Sequence, residues 1–394
     1  VVKKYQEMTY QNIIIIAPQS PYNGQNVDII IEGNIIQKIT PSASQNAENE
    51  QLYASAGWFD MQAHLAEPGF EQKETLAELA KAAALGGFTG ILCYPNTNPV
   101  IDNAQVLRSV KQFAQNTPIE ILFSGALSHH AEGKEMAEIY EMHANGAAAF
   151  TEGTNSIQSS GLILRLRQYM QPFDGLMILM PSDKSLAAEG QMNEGAYSVL
   201  LGMKGVPEIA EAVAVAKELY LHEYAPLRTH FQPITSPKAL DLLAEAKTKF
   251  ENISVGTPIY YFAFQDKDLT EFDNFLKVFP PLRSENQVEE LKNALKNGVI
   301  DVLTSGHQAQ GLEEKELEFE IADAGMLGLQ TFFPLANAFL IQTGVISLEK
   351  FVELVSIRPR EILKLPKISI KEGEKANLTI FSPSQKWTLN ANRS

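Results

Sequence analysis

Between residues 57 and 306 the chain returns again and again to short apolar runs. GWFDMQAHL (57–65), GFTGILCYP (87–95), IEILFSGAL (119–127) and GAAAFTEG (146–153) come first. GLMILMPS (175–182), APLRTHFQ (225–232), NISVGTPIYY (252–261) and GVIDVLTSG (298–306) follow. Runs of this kind, apolar throughout and bounded by Gly, Pro or Asn, are the pattern of strands buried on both faces. Between them, ETLAELAKAAALG, VPEIAEAVAVAKELYLHEY and PKALDLLAEAKTKF carry apolar residues at helical spacing. Eight strands alternating with helices predict an α/β fold, a closed (β/α)8 TIM barrel. The competing doubly wound sheet lacks a glycine-rich phosphate loop after its first strand.

The two ends read differently. NIIIIAPQ, VDIIIEGNIIQKIT and QLYASAG alternate β-branched runs with turns, and EGN at 32–34 is a tight hairpin signal. ISIKEGEKANLTIFSP (368–383) has the same character. Residues 1–56 plus 365–394 are therefore expected to form a small flanking β-domain, with 57–364 as the barrel.

Composition narrows the function classes. With 32 basic and 47 acidic residues the net charge is −15, which argues against a nucleic-acid or anionic-membrane partner. No apolar run is long enough to span a bilayer. The four isoleucines near the N-terminus are too short a run for a signal peptide. A lone Cys93 permits no intrachain disulfide, and a cytoplasmic location is expected.

In such a barrel, chemistry sits at the C-terminal ends of the strands. Those ends carry Gln62 and His64, Asn96, Ser128-His129-His130, Glu152, Met180 with Asp183, His230 with Pro233, Tyr260 with Tyr261, and Gly306 with His307. A binuclear metal hydrolase needs about four imidazoles and two carboxylates there. Only His64, His230 and His307 stand at strand mouths, a thin set. His64 reads as a metal ligand or as a hydrogen-bonding group of the barrel mouth, and His230 as a ligand or a satisfied core imidazole. His307 is expected to face the cavity. Asn96 is a turn former or a ligand contact. Glu152 reads as a ligand, a general base or an ion-pair partner. His129 and His130 read as solvent-facing, with a relocated metal role as the lesser alternative. His143 and His222 read as surface or packing.

The chain resembles the dihydroorotase family. The likeness rests on HLAEPGFEQKET (64–75), AAALGGFTGILCYPNTNPVID (82–102), DKSLAAEGQMNEG (183–195), GMKGVPEIAEAVAV (202–215), KVFPPLRSE (277–285), LKNGVIDVLTSGH (295–307) and GEKANLTIFSP (373–383). It implies an amidohydrolase-type barrel and a zinc site built from His, Asp and sometimes a carboxylated Lys. The family's Asp-x-His-x-His strand becomes Asp60, Gln62 and His64, and its substrate-gripping Arg becomes Ala66. The bridging carboxylate of strand 4 falls on Glu152. Further ligand positions fall on Met180 and Pro233, and the catalytic Asp falls on Gly306. The strand-7 histidine segment reads Pro258-Ile259-Tyr260-Tyr261. Asn96 and His307 survive as substrate-binding positions.

Pro233 and Gly306 offer no side-chain donor, and a thioether competes poorly with water for Zn²⁺. Glycine cannot replace a general acid/base. These losses imply a non-catalytic dihydroorotase homologue of pyrimidine biosynthesis, without a cofactor. The resemblance further implies a homo-oligomer and a structural partnership with aspartate transcarbamoylase. The alternative is an active cyclic-amide hydrolase with an atypical, mononuclear zinc site at His64, Glu152 and His307.

Overall fold

The computed structural model describes residues 7–43, 51–386 and 388. Four strands open the chain: β1 (Glu7–Ile16), β2 (Asn26–Glu32), β3 (Ile35–Pro41) and β4 (Leu52–Ala56). The β2–β3 turn places Gly33 and Asn34 both at positive φ, the two-residue hairpin geometry that the EGN signal predicts. Barrel strands follow as β5 (Trp58–His64), β6 (Phe88–Tyr94), β7 (Glu120–Gly125), β8 (Ala149–Thr151) and β9 (Met177–Leu179). Two short paired strands, β10 (Met192–Asn193) and β11 (Gly205–Val206), interrupt the series. The barrel resumes with β12 (Thr229–Phe231), β13 (Ile253–Pro258) and β14 (Val302–Thr304), and β15 (Leu378–Phe381) comes last.

The eight barrel strands are parallel and ordered β5-β6-β7-β8-β9-β12-β13-β14. A parallel bridge between Ala63 and His307 joins the last segment to the first, with the His64 amide donating to the His307 carbonyl at 2.9 Å. The second sheet runs β15-β4-β1-β2-β3, so both ends of the chain meet in it. Its inner face is a separate isoleucine-rich core that includes Ile13, Ile15, Ile29 and Ile36.

Helices cover the barrel because their apolar stripes have nowhere else to go. Helix Leu76–Leu85 starts at a capping box between Thr75 and Glu78 and buries Leu76, Leu79, Ala80 and Ala83. At the start of β5, Trp58 holds the two parts of the molecule together. Its ring lies 5.3 Å from Phe351, edge-on, and 5.2 Å from Phe381 of β15. Among the described residues no helix is long and apolar enough to cross a membrane.

Candidate active site

The mouth of the barrel is polar, and two groups of its side chains are spent on one another. His230 on β12 and Gln232 just past its end lie two residues apart and share a face. His230 Nδ1 sits 2.8 Å from the hydroxyl of Ser254, its register partner on β13, and Nε2 sits 2.7 Å from Gln232 Oε1. The Gln232 amide then donates to the Tyr94 hydroxyl at 3.0 Å and to the Met61 carbonyl at 3.2 Å. Gly256 makes room for the pair, since a Cβ there would stand 2.2 Å from Gln232 Oε1. Burial pushes the His230 imidazole down to about 4, so it is neutral in the fold. Of the two readings of His230, this is the satisfied core imidazole.

A second group surrounds Asp60. Its carboxylate accepts the Ser305 amide at 3.0 Å, the Ser305 hydroxyl and the Gln62 amide at 3.3 Å. Burial outweighs these bonds and pushes the acid up to about 6. The Gln62 side chain accepts from Thr304 at 3.3 Å. His64 stands edge-on to Tyr94 at 5.1 Å, and burial together with nearby His307 pushes it down to about 3.

His307 is buried and turned onto the protein rather than into a cavity. Its Nε2 lies 3.0 Å from each oxygen of Glu74, and its Nδ1 accepts the Gly328 amide at 3.3 Å. These contacts assign the proton to Nε2 and leave the ring without a free nitrogen. Asn96 donates to the Glu152 carbonyl at 3.0 Å and accepts the Thr154 amide at 3.4 Å, which fixes the loop after β8. His129 and His130 gather on Asp102, which takes the His130 amide at 3.0 Å and the His129 ring at 3.4 Å. His130 lies open to solvent. His143 stacks on Phe173 at 4.4 Å, and His222 is buried beside Arg167.

Gly306 has φ +60, and a Cβ there would meet Tyr260 Cε1 at 2.7 Å and Pro258 Cβ at 2.8 Å. Tyr260 reaches that position because β13 ends at Pro258 and the chain turns through Ile259–Phe262. The apolar run 252–261 therefore overstated the strand.

Glu152 is buried, and neither carboxylate oxygen makes a hydrogen bond of ordinary geometry. Burial raises it to about 7, offset in part by the adjacent Ser128 hydroxyl and amide and by Lys184. An acid whose folded pKa exceeds its unfolded value binds the extra proton in the fold. The stability it contributes is present below about 4.5 and is lost as pH rises through about 7. Glu152→Gln is therefore expected to gain on the wild type by about 1–3 kcal/mol between about pH 4.5 and about pH 8. Urea melts across that range check the sign, and a pH-independent difference would contradict it.

The zinc that the resemblance implies does not fit this donor set. His230 and His307 have both ring nitrogens engaged, Met180 presents a thioether, and Pro233 and Gly306 present nothing. Among the described residues, no group of three or more His, Cys, Asp or Glu side chains is placed to hold a metal ion. Two participants were not singled out from sequence: Gln232, which the alternation from His230 points to, and Glu74, for which a single sequence carries no signal.

An L-hydantoinase from Arthrobacter aurescens shares the fold with a TM-score of 0.78 at 22% identity, over 94% of this chain and 85% of that one. A D-hydantoinase from a Thermus species gives 0.73 at 20% identity, over 94% and 85%. The architecture is thus the TIM barrel with a flanking sheet that these hydantoinases share. Residues 54–238 match the family model described as Dihydro-orotase-like. The dihydroorotase of Acetivibrio thermocellus is 32% identical over 385 residues, 96% of this chain and 90% of the relative. That of Ruminiclostridium cellulolyticum is 35% identical over 368 residues, 92% and 86%. The chain belongs to the dihydroorotase-like family.

Proposed function

We propose that this chain is a non-catalytic member of its family, retained as a cytoplasmic structural partner of aspartate transcarbamoylase. The observation that carries the first half is position 306. The residue matched to the family's catalytic Asp is a glycine in a left-handed conformation, and Tyr260 fills the space beside it. The engaged nitrogens of His230 and His307 support the same reading, since neither has a lone pair left for a metal. The partnership rests on the family resemblance and on a kept scaffold around a spent site.

Metal analysis of the purified chain, alongside a dihydroorotate-forming assay, is the direct test. We expect substoichiometric zinc and no turnover above the buffer rate. Stoichiometric zinc with turnover would establish the alternative, a hydrolase using His64, Glu152 and His307. Gel filtration of the chain mixed with aspartate transcarbamoylase should give one co-eluting species. Separate elution at micromolar concentration would remove the partnership.

A further inference from the structure

At the end of the barrel opposite the mouth, Arg360 of helix Arg358–Ile362 is 6% exposed, and its charge is poorly matched. Its guanidinium lies over the Phe59 ring near the start of β5, 5.6 Å from the centroid. Nη1 reaches the Pro366 carbonyl only at 3.4 Å. Glu120 stands 3.6 Å from Nη2, past ordinary hydrogen-bonding distance. Among the described residues, neither Nε nor Nη2 has a hydrogen-bond partner. Burial pushes the guanidinium below its ordinary pKa, and Glu120 offsets only part of that. Beside it lies a cavity of about 160 Å³, where the barrel meets the flanking sheet. Ala56, Ser356 and Arg360 form its buried wall, and Ile357, Leu365 and Ile368 line it with apolar surface. Ser356 is already spent, its hydroxyl shared between the Ala56 and Gly57 carbonyls at 3.0 Å each. At the rim, Lys364 is paired with Asp174, and Glu361 with Arg358 at 2.7 Å. Gln19 and Lys367 stand exposed there.

We infer that this cavity binds a small organic acid, with its carboxylate on Arg360 and its short apolar body against Ile357, Leu365 and Ile368. The Nε–Nη2 edge of a guanidinium is a fork that two carboxylate oxygens match. Here that edge is the one left without hydrogen bonds. Both atoms are closed to solvent, so binding turns the guanidinium toward the cavity it already borders. Little is lost in the turn, since the Pro366 contact is long. A buried cation short of acceptors is destabilising, so an occupant that brings two oxygens relieves a cost already present. Lys367 at the rim favours the same sign of ligand. The apolar wall favours an organic acid over inorganic phosphate, which would leave that surface unmatched. The volume falls short of the roughly 300 Å³ or more of drug-sized ligands, and suits a chain of a few carbons. Such an occupant would tie Ala56 at the end of β4 to helix Arg358–Ile362, and so stabilise the junction of barrel and sheet. The cavity lies across the barrel from Gly306 and is independent of whether the mouth turns over.

Isothermal titration of the full chain with acetate, butyrate, hexanoate and phosphate, in chloride at matched ionic strength, is the test. Affinity for the acids should rise about threefold to fourfold with each added methylene, as each leaves water for the apolar wall. Arg360→Met keeps a stem on Phe59 and leaves Glu120, at 45% exposure, within reach of water. It should therefore fold and weaken hexanoate binding about tenfold or more. Arg360→Lys, which keeps the charge without the fork, should fall between Arg360→Met and the wild type. Ile368→Trp, filling the cavity from its apolar side, should abolish binding with Arg360 untouched. A wild-type chain that binds no hexanoate at millimolar concentration would overturn the inference. Binding that survives both Arg360→Met and Ile368→Trp would overturn it equally. Phosphate bound more tightly than hexanoate would overturn the organic acid in favour of an inorganic oxyanion.

Discussion

Gly306→Asp is expected to destabilise the protein by about 3–5 kcal/mol and to return no dihydroorotase activity. Three costs combine. A residue with a side chain at φ +60 is strained by about 1 kcal/mol or more. Its Cβ lies within 3 Å of two Tyr260 atoms and of Pro258, so the ring or the turn that carries it must move. The carboxylate then enters a buried region beside Ser305, whose amide and hydroxyl are already committed to Asp60, an acid that burial has raised to about 6. Urea unfolding of the single variant, of Tyr260→Ala and of the double variant separates these costs. The double variant should be less destabilised than the sum of the singles, because removing the ring removes the clash. Additive losses would mean that Tyr260 does not define the site. A single variant as stable as the wild type that also turned over would show that the position can still host the acid.

How much of this was legible in the residues can be judged element by element. The eight barrel strands were legible because a strand buried on both faces must be apolar throughout. Such runs are satisfied inside a parallel sheet covered by helices on both faces, and their number, eight, favours the closed form. Gly306 was legible as a departure from the resemblance because it lies inside the matching string 295–307, and Gln62, Met180 and Pro233 were read from the family motifs at their strand ends. What fills the vacated space was not. Tyr260 meets Gly306 across 46 residues, and the contact depends on β13 stopping at Pro258 and on the φ of a glycine. Likewise His307 finds Glu74 at a separation of 233 residues. A strand mouth gives the direction of a side chain but not its partner. That is why His307 was read as facing the cavity, whereas the fold closes the barrel with it.

The network around Glu211 carries the other large expected effect. Its carboxylate takes the Thr235 and Ser236 amides at 2.7 Å each on one oxygen. The Thr235 hydroxyl at 2.8 Å and Arg283 Nη2 at 3.0 Å come to the other. Arg283 is itself buried, and also donates to the Thr235 hydroxyl at 3.0 Å and to Asn193 at 3.1 Å. One acid therefore ties helix Ile209–Tyr224 to the loop after β12 and to the segments around β10 and Arg283, all on the rim that shapes the barrel mouth. Glu211→Ala is expected to cost about 4 kcal/mol, because it leaves a buried guanidinium and two buried amides without their acceptor. Glu211→Leu with Arg283→Met should be less harmful than the single change, since the uncompensated charge leaves with its partner. Hydrogen exchange provides a local readout. In Glu211→Ala the Thr235 and Ser236 amides should lose protection by more than the global loss of stability accounts for, while barrel-strand amides follow the global change. A Glu211→Ala chain within about 1 kcal/mol of wild type, with those two amides still protected, would mean that water replaces the carboxylate and that the rim is held by apolar packing instead.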